Sequence, residues 1–257
     1  MAITYDFDTY RDQFETIKLE RDENGILLVT LHTDGGELVW GLEARQELTD
    51  LWEAIGHDRG NRIVILTGSG DQFIGHESVP VNWTSNFGAT HERFSIARRL
   101  VYGQLEIEVP MIAAVNGNVL FHAEQPLMCD LILSTPGALW ADDSHIPVGV
   151  VPGDGVHVVW PAAIGLNRAR HLFLTGGRYT AEQMLEFGGI SEVVPKEDLL
   201  PRAYELAHQM LKLPDLALRS TRHVLTMGLR RSVFDNMSTG LLREHLAYLD
   251  PEGPFKS

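Results

Sequence analysis

Hydrophobic runs of two kinds alternate along the first half of the chain. "ILLVTLHT" (26–33) and "RIVILTG" (62–68) are short, rich in branched residues and closed by turn-forming positions, and both predict strands. Between them "GLEARQELTDLWEAIGHD" (41–58) has the spacing of an amphipathic helix. Two more strands are predicted at "MIAAVNG" (111–117) and "LILST" (131–135), after a helical stretch near residues 91–105. This alternating β/α order favours a largely parallel sheet covered on both faces.

After Gly155 the pattern turns helical and stays so. "TAEQMLEFGG" (180–189) carries a capping box, with Thr180 at the N-cap, Gln183 three residues on and glycine at the end. In "LLPRAYELAHQMLKLP" (199–214), Ala203, Leu206, Ala207, Met210 and Leu211 share one face at helical spacing. The expected organisation is a core over residues 1–195 and a C-terminal helical region over 196–257, with no repeat, low-complexity tract or flexible linker.

Composition narrows the class. Of 257 residues, 44% are hydrophobic and 22% charged, as in a globular protein with a sizeable core. The net charge of −14 and the absence of a Lys/Arg stripe argue against a nucleic-acid partner. No apolar run approaches the ~20 residues of a membrane span, and the amino terminus lacks a basic stretch followed by an apolar one. The expectation is a cytoplasmic protein with no membrane partner. Cys129 is the single cysteine, which excludes an internal disulfide, and "PLMCDLIL" reads as a buried setting for it. The eleven histidines show no HxH or HExxH spacing, so no dedicated metal site is expected.

Three segments, "VILTGSGDQFIGHES" (64–78), "EVPMIAAVNGNVLFHAEQPLMCDLILS" (108–134) and the stretch from "HIPVGVVPGDGVHVVWP" to "GGISEVVP" (145–195), resemble the crotonase (enoyl-CoA hydratase/isomerase) superfamily in order and spacing. The resemblance implies an α/β fold, a crotonase-like spiral of ββα units with a C-terminal helical trimerisation region, and a homotrimer or dimer of trimers. Two departures narrow it. Where the superfamily has a run of glycines after "AAVNG", this chain has Phe121 and His122; where hydratases tend to carry a Pro-Glu pair, it has Ser144 and His145.

Those substitutions resemble the 6-oxocamphor hydrolase-like β-diketone hydrolases, which split a carbon–carbon bond between two carbonyls by retro-Claisen hydrolysis, without a coenzyme A thioester or other cofactor. The matching positions are Trp40 in "LVW", His122, His145, Asp154 in "GVVPGDGVHVVWP" and Glu244 in "LLREHLAYLD". Arg45 departs from that branch, which has a histidine there. Arginine cannot be a general base at neutral pH, so its expected role is electrostatic: pairing with Glu244, or contacting an oxyanion or product carboxylate.

Hydrolysing a cyclic 1,3-diketone needs a base for water, donors for the attacked oxygen and stabilisation of the departing enolate. The expected water-activating unit is a His145–Asp154 dyad, with Asp154 on the ring's other nitrogen fixing its tautomer. Pro147 and Pro152 stiffen the connection between the two, while Gly149, Gly153 and Gly155 permit tight turns. The competing reading of Asp154 is a helix N-cap, and of His145 an ordinary loop histidine. His122 and the Trp40 indole are candidate donors to substrate carbonyls, with Trp83, Phe87 and Phe121 as an apolar lining and Glu244 in support. At His76 the backbone N–H matters more than the ring. With neutral His145 as base, kcat/KM is expected to fall on the acid side near the ordinary histidine pKa of ~6.5. Two readings compete with the hydrolase: a CoA-dependent hydratase or isomerase, and a non-catalytic binding scaffold.

Overall fold

A computed structural model describes residues 5–78 and 87–249. In chain order the first elements are α1 (Phe7–Tyr10), β1 (Ile17–Arg21), β2 (Ile26–Leu31), β3 (Val39–Trp40), α2 (Leu42–His57), β4 (Ile63–Gly68), β5 (Gln72–Ile74), β6 (His76–Glu77) and α3 (Phe87–Glu106). There follow β7 (Met111–Val115), β8 (Asn118–Val119), α4 (Glu124–Leu127), β9 (Leu131–Ser134), β10 (Leu139–Trp140), α5 (Val156–Ile164) and α6 (Leu166–Thr175). The last are β11 (Tyr179–Thr180), α7 (Ala181–Glu186), β12 (Glu192–Val193), α8 (Lys196–Met210) and α9 (Asp215–Tyr248).

Six strands form the main sheet in the order β1-β2-β4-β7-β9-β12, and every pairing but β1/β2 is parallel. The register sets Ile26 against Ile63, Val64 against Met111 and Ile112 against Leu131. Successive side chains on a strand point to opposite faces, which divides the apolar run of each strand between two cores. Leu27, Val29, Val64, Leu66 and Ala113 face one core; Ile26, Ile63, Ile65, Ile112 and Ala114 face the other, beneath Leu199, Ala203 and Ala207 of α8. This is the covered, largely parallel sheet of the expected α/β fold.

A second sheet, ordered β11-β10-β8-β5, and a two-stranded pair, β3-β6, complete the strands among the described residues. The strands β11, beside β10, and β12, beside β9, correct the reading of an all-helical chain after Gly155. Each has two residues, too few for a period of two to show. The capping box is present, Thr180 Oγ1 accepting from the Gln183 N–H and the Gln183 side chain accepting from the Thr180 N–H. Along α9, Val233, Met237 and Leu241 are buried in the first core, while Leu216, Val224, Leu225 and Phe234 are exposed. No helix among the described residues is long and apolar enough to cross a membrane.

Candidate active site

The small strands bring distant segments to one place. β3 and β6 run parallel with Trp40 opposite Glu77. β8 lies between β5 and β10, and backbone bonds from Leu120 N to Ile74 O, Ala141 N to Val119 O and Asp143 N to Leu120 O extend that contact beyond the strand ends. The loops carrying His122 and His145 therefore leave the sheet side by side. His122 adopts φ 47°, the left-handed region that glycine enters freely and histidine rarely does. It keeps a glycine-like backbone where the related chains are expected to have glycine.

His145 opens a tight turn: its carbonyl accepts from the N–H groups of Val148 and Val150, and Gly149 takes φ 80°. Asp154 precedes α5, whose N-cap is Gly155 with no side-chain cap bond, so the capping role is not realised. Instead Asp154 is directed at both histidines. The chain reaches this position because Gly153 packs against Gly240 of α9: a Cβ on Gly153 would run into the Gly240 carbonyl and lie 2.8 Å from the Glu244 Cβ. Glu244 lies one turn beyond Gly240.

The four residues expected at the centre, His122, His145, Asp154 and Glu244, are all buried and close together. One detail of the dyad is corrected. The carboxylate bonded to His145 is Asp142, whose oxygens lie 2.8 and 3.0 Å from Nδ1; Asp154 Oδ1 faces the opposite nitrogen, Nε2, at 3.6 Å. The turn places Asp142 three residues before the ring, within direct bonding reach, while Asp154 arrives from another element.

His122 Nδ1 is 2.9 Å from Glu124 Oε1 and 3.6 Å from Asp154 Oδ2; its Nε2 is 2.8 Å from Arg45 Nη2 and 3.3 Å from Glu77 Oε1. Trp40 stacks on the ring at 4.5 Å between centroids. Both nitrogens of His122 thus face protein groups, which leaves no open donor of the kind expected for a substrate carbonyl. Of the two roles expected of Arg45, pairing with Glu244 is replaced by an ion pair with Glu77 at 2.8 Å. Glu77 in turn accepts from Ser144 Oγ at 3.0 Å and so ties α2, the His122 loop and the His145 loop together.

The electrostatics follow from burial and close charges. Burial lowers the His145 pKa, but Asp142 and Asp154, then Glu244, outweigh it and hold the ring well above 6.5. Burial and Arg45 lower His122, and Glu124 and Glu77 reverse this, raising it to about 9. For Glu77, burial is overcome by His122 and Arg45, leaving it at about 2. Asp154 is lowered because the charges of His145, His122 and Arg45 exceed the effect of burial. Glu244 is raised to about 8, first by burial and then by the Asp154 carboxylate. Two adjacent carboxyls are pushed in opposite directions, the pattern that separates an ionised group from a protonated one.

Asp154 Oδ1 and Glu244 Oε2 are buried with no hydrogen-bond partner among the described residues. Beside them lies a cavity of about 20 Å³, lined by Arg45, Phe94, Asp154, Leu241, Glu244 and His245 and large enough for one water. Larger hollows, such as one of about 590 Å³ beside Tyr10 and Phe14, lie away from this chemistry. The fold also gathers two groups at metal-ligand spacing, His122/Glu124/Asp154 and His145/Asp154/Glu244, which no short motif announces. A cation there would meet the Arg45 charge and would require His145 to give up a firmly held proton.

The enoyl-CoA hydratase/isomerase family profile matches residues 21–240. The chain belongs to that family, the crotonase superfamily. This crotonase-family chain is 27% identical over 231 residues to a crotonyl-CoA hydratase from Syntrophomonas wolfei, covering 88% of the chain and 86% of that protein. It is 28% identical to a putative enoyl-CoA hydratase/isomerase from Bacillus subtilis, covering 86% and 84%. Among solved structures, a β-diketone hydrolase from the cyanobacterium Anabaena sp. PCC 7120, bound to (S)-3-oxocyclohexyl acetic acid, is 39% identical with a TM-score of 0.90, covering 92% of this chain and 95% of that one.

Of the remaining expected positions, Trp40 is fully buried against His122, and Phe121 is half-buried against the main core. His76 is exposed, 3.1 Å from Glu37. Trp83 and the Phe87 side chain lie outside the described residues. Sequence reasoning missed Asp142, Glu77 and Glu124. Asp142 and Glu124 had local signals, an acid three residues before one histidine and an acid two residues after the other.

Proposed function

We propose that this crotonase-family protein is a β-diketone hydrolase that cleaves a carbon–carbon bond of cyclic 1,3-diketones. The observation that carries the reading is the buried His145, whose Nε2 faces the ionised Asp154 at 3.6 Å, with Asp154 lining a cavity large enough for one water. The 39% identity to the Anabaena β-diketone hydrolase supports it.

In its neutral form, which the ring takes above its raised pKa, His145 beside Asp154 takes a proton from water as the water oxygen bonds to a ring carbonyl carbon. The tetrahedral intermediate then collapses, the bond to the α-carbon breaks, and a carboxylic acid and an enolate result. The proton held by the imidazole passes to the enolate carbon, so the balance is one water added. Asp154 stabilises the imidazolium, and Glu244, protonated at neutral pH, adds no second negative charge beside it. The Trp40 N–H is buried without a partner among the described residues and is the proposed donor to the carbonyl oxygen. Trp52 and Trp160 share that orphaned state, so the stacking of Trp40 on His122 is what distinguishes it. Arg45, bordering the cavity, supplies positive charge for the oxyanion or product carboxylate.

The names of the bacterial relatives favour a second reading, hydration of an enoyl-CoA. Against it stand the imidazole where hydratases tend to carry a carboxylate and the His122 side chain in the glycine segment. Assays with mono- and bicyclic 1,3-diketones and with crotonyl-CoA separate the two. Keto acid formation supports the proposal; crotonyl-CoA turnover alone overturns it, and silence in both assays favours the binding scaffold. The exposed apolar residues of α9 support a homotrimer or dimer of trimers, which sedimentation tests.

A further inference from the structure

We propose that Asp142 is a positioning residue that holds His145 by Nδ1 and reserves Nε2 for the reacting water. The inference rests on the hydrolase reading above and adds a residue to it. Both Asp142 oxygens lie within 3.0 Å of Nδ1, and among the described residues they bond to nothing else. The adjacent acid, Asp143, turns outward to Arg178 at 2.7 Å. Of the two neighbouring carboxylates, one is therefore committed to the surface and the other to the ring.

Burial makes the arrangement consequential. Asp142 and His145 are 5% and 2% exposed, so their charge-assisted bond is little screened by solvent. Turning the ring over would break that bond and leave a buried carboxylate without a donor. The backbone is also fixed, because the His145 carbonyl accepts two N–H bonds within the turn. With Nδ1–H donated to Asp142, the only ring nitrogen able to exchange a proton with water is Nε2, the one facing Asp154 at 3.6 Å. At 3.6 Å, Asp154 makes no direct hydrogen bond to Nε2, so that nitrogen stays uncommitted among the described residues, next to the carboxylate that lines the small cavity.

The groups facing His145 are Asp142 from its own turn, Asp154 ahead of α5, His157 from α5 and Glu244 from α9, with His122 and Arg45 across Asp154. Asp142 is the largest of the charges that raise its proton affinity. Removing that charge while keeping an acceptor oxygen shifts the protonation of His145 and leaves its packing intact.

The experiment is Asp142→Asn in the full chain, with kcat and KM for a cyclic 1,3-diketone measured across pH and the His145 ring titrated by ¹⁵N NMR. The expected result is a kcat lowered about tenfold to a hundredfold, KM within about threefold, and both the acid limb and the His145 titration moved to lower pH. A folded variant with kcat within about twofold and an unmoved titration overturns the inference. Should Asp142→Asn fail to fold, the parent spectrum decides: Nε2 as the titrating nitrogen supports the inference, Nδ1 overturns it. A parent without diketone turnover, together with a shifted His145 titration in the variant, removes the hydrolase reading and leaves the hold of Asp142 on the ring supported.

Discussion

His122 and His145 are the same side chain in equal darkness, each 2% exposed and each in contact with carboxylates, yet their surroundings prepare them for different work. His122 is closed in: Trp40 covers a face, Glu124 takes Nδ1, and Arg45 and Glu77 meet Nε2. His145 is held by one nitrogen and approached without a bond at the other. Burial alone does not make a histidine reactive. What distinguishes the pair is whether a nitrogen remains whose partner can be exchanged for water.

The largest effect that tests this comparison is on His145. Replacing it with alanine is expected to lower diketone kcat by about a thousandfold, since the base is gone. Residual turnover within about tenfold of the parent would show that another group activates water. Asp154→Asn is expected to cost about a hundredfold, because the imidazolium loses the anion at Nε2; initial rates at saturating diketone check this.

His122→Asn comes next. Asparagine tolerates φ near 47° better than most residues, so the chain keeps its path while the stacked ring disappears. The expected loss is about tenfold in kcat/KM, carried through Trp40 and Asp154. The variant also tests the charge on His122. A histidine raised from 6.5 to about 9 contributes stability that is complete below 6.5 and fades as pH rises through 9. The Tm difference between parent and variant should therefore be largest in mild acid and narrow at alkaline pH; a difference independent of pH would mean that His122 is neutral throughout.

The smallest effect is a displacement of the pH profile. An ordinary histidine places the acid limb of kcat/KM near ~6.5. The carboxylates around His145 bind its proton more tightly, so on lowering pH the base is lost earlier, and the limb should lie above that value. A limb at or below it would contradict the geometry. The limb belongs to His145, Asp154 and Glu244 titrating together, not to one residue.

The contrast also explains what could be read from the sequence. β2, β4, β7 and β9, the amphipathic α2 and the Thr180 capping box each fit within one short window of chain, where period and cap chemistry are visible. His145, Asp154, His122 and Glu244 were legible only through resemblance. Their partners were not: Arg45 and Glu77 are 32 residues apart, and nothing local requires them to pair. Asp154 shows the converse, a residue whose flanking Gly-Val-His suits a helix cap and whose carboxylate is spent on the histidines. The two-residue strands that align these loops carry too few positions to show a pattern.

The contact between Gly153 and Gly240 makes α9 a lever on the chemistry. With no side chain between the two backbones, the spacing of Asp154 and Glu244 depends directly on where the helix lies. Gly240→Ala, whose new methyl would strike the His157 ring and the Gly153 carbonyl, should therefore lower the Tm by a few degrees through overpacking of about 1–3 kcal/mol and disturb the acid pair as well. The same helix shows leucine, valine and phenylalanine to the outside, so one element carries both an apolar outer face and the inner glutamate of the acid pair.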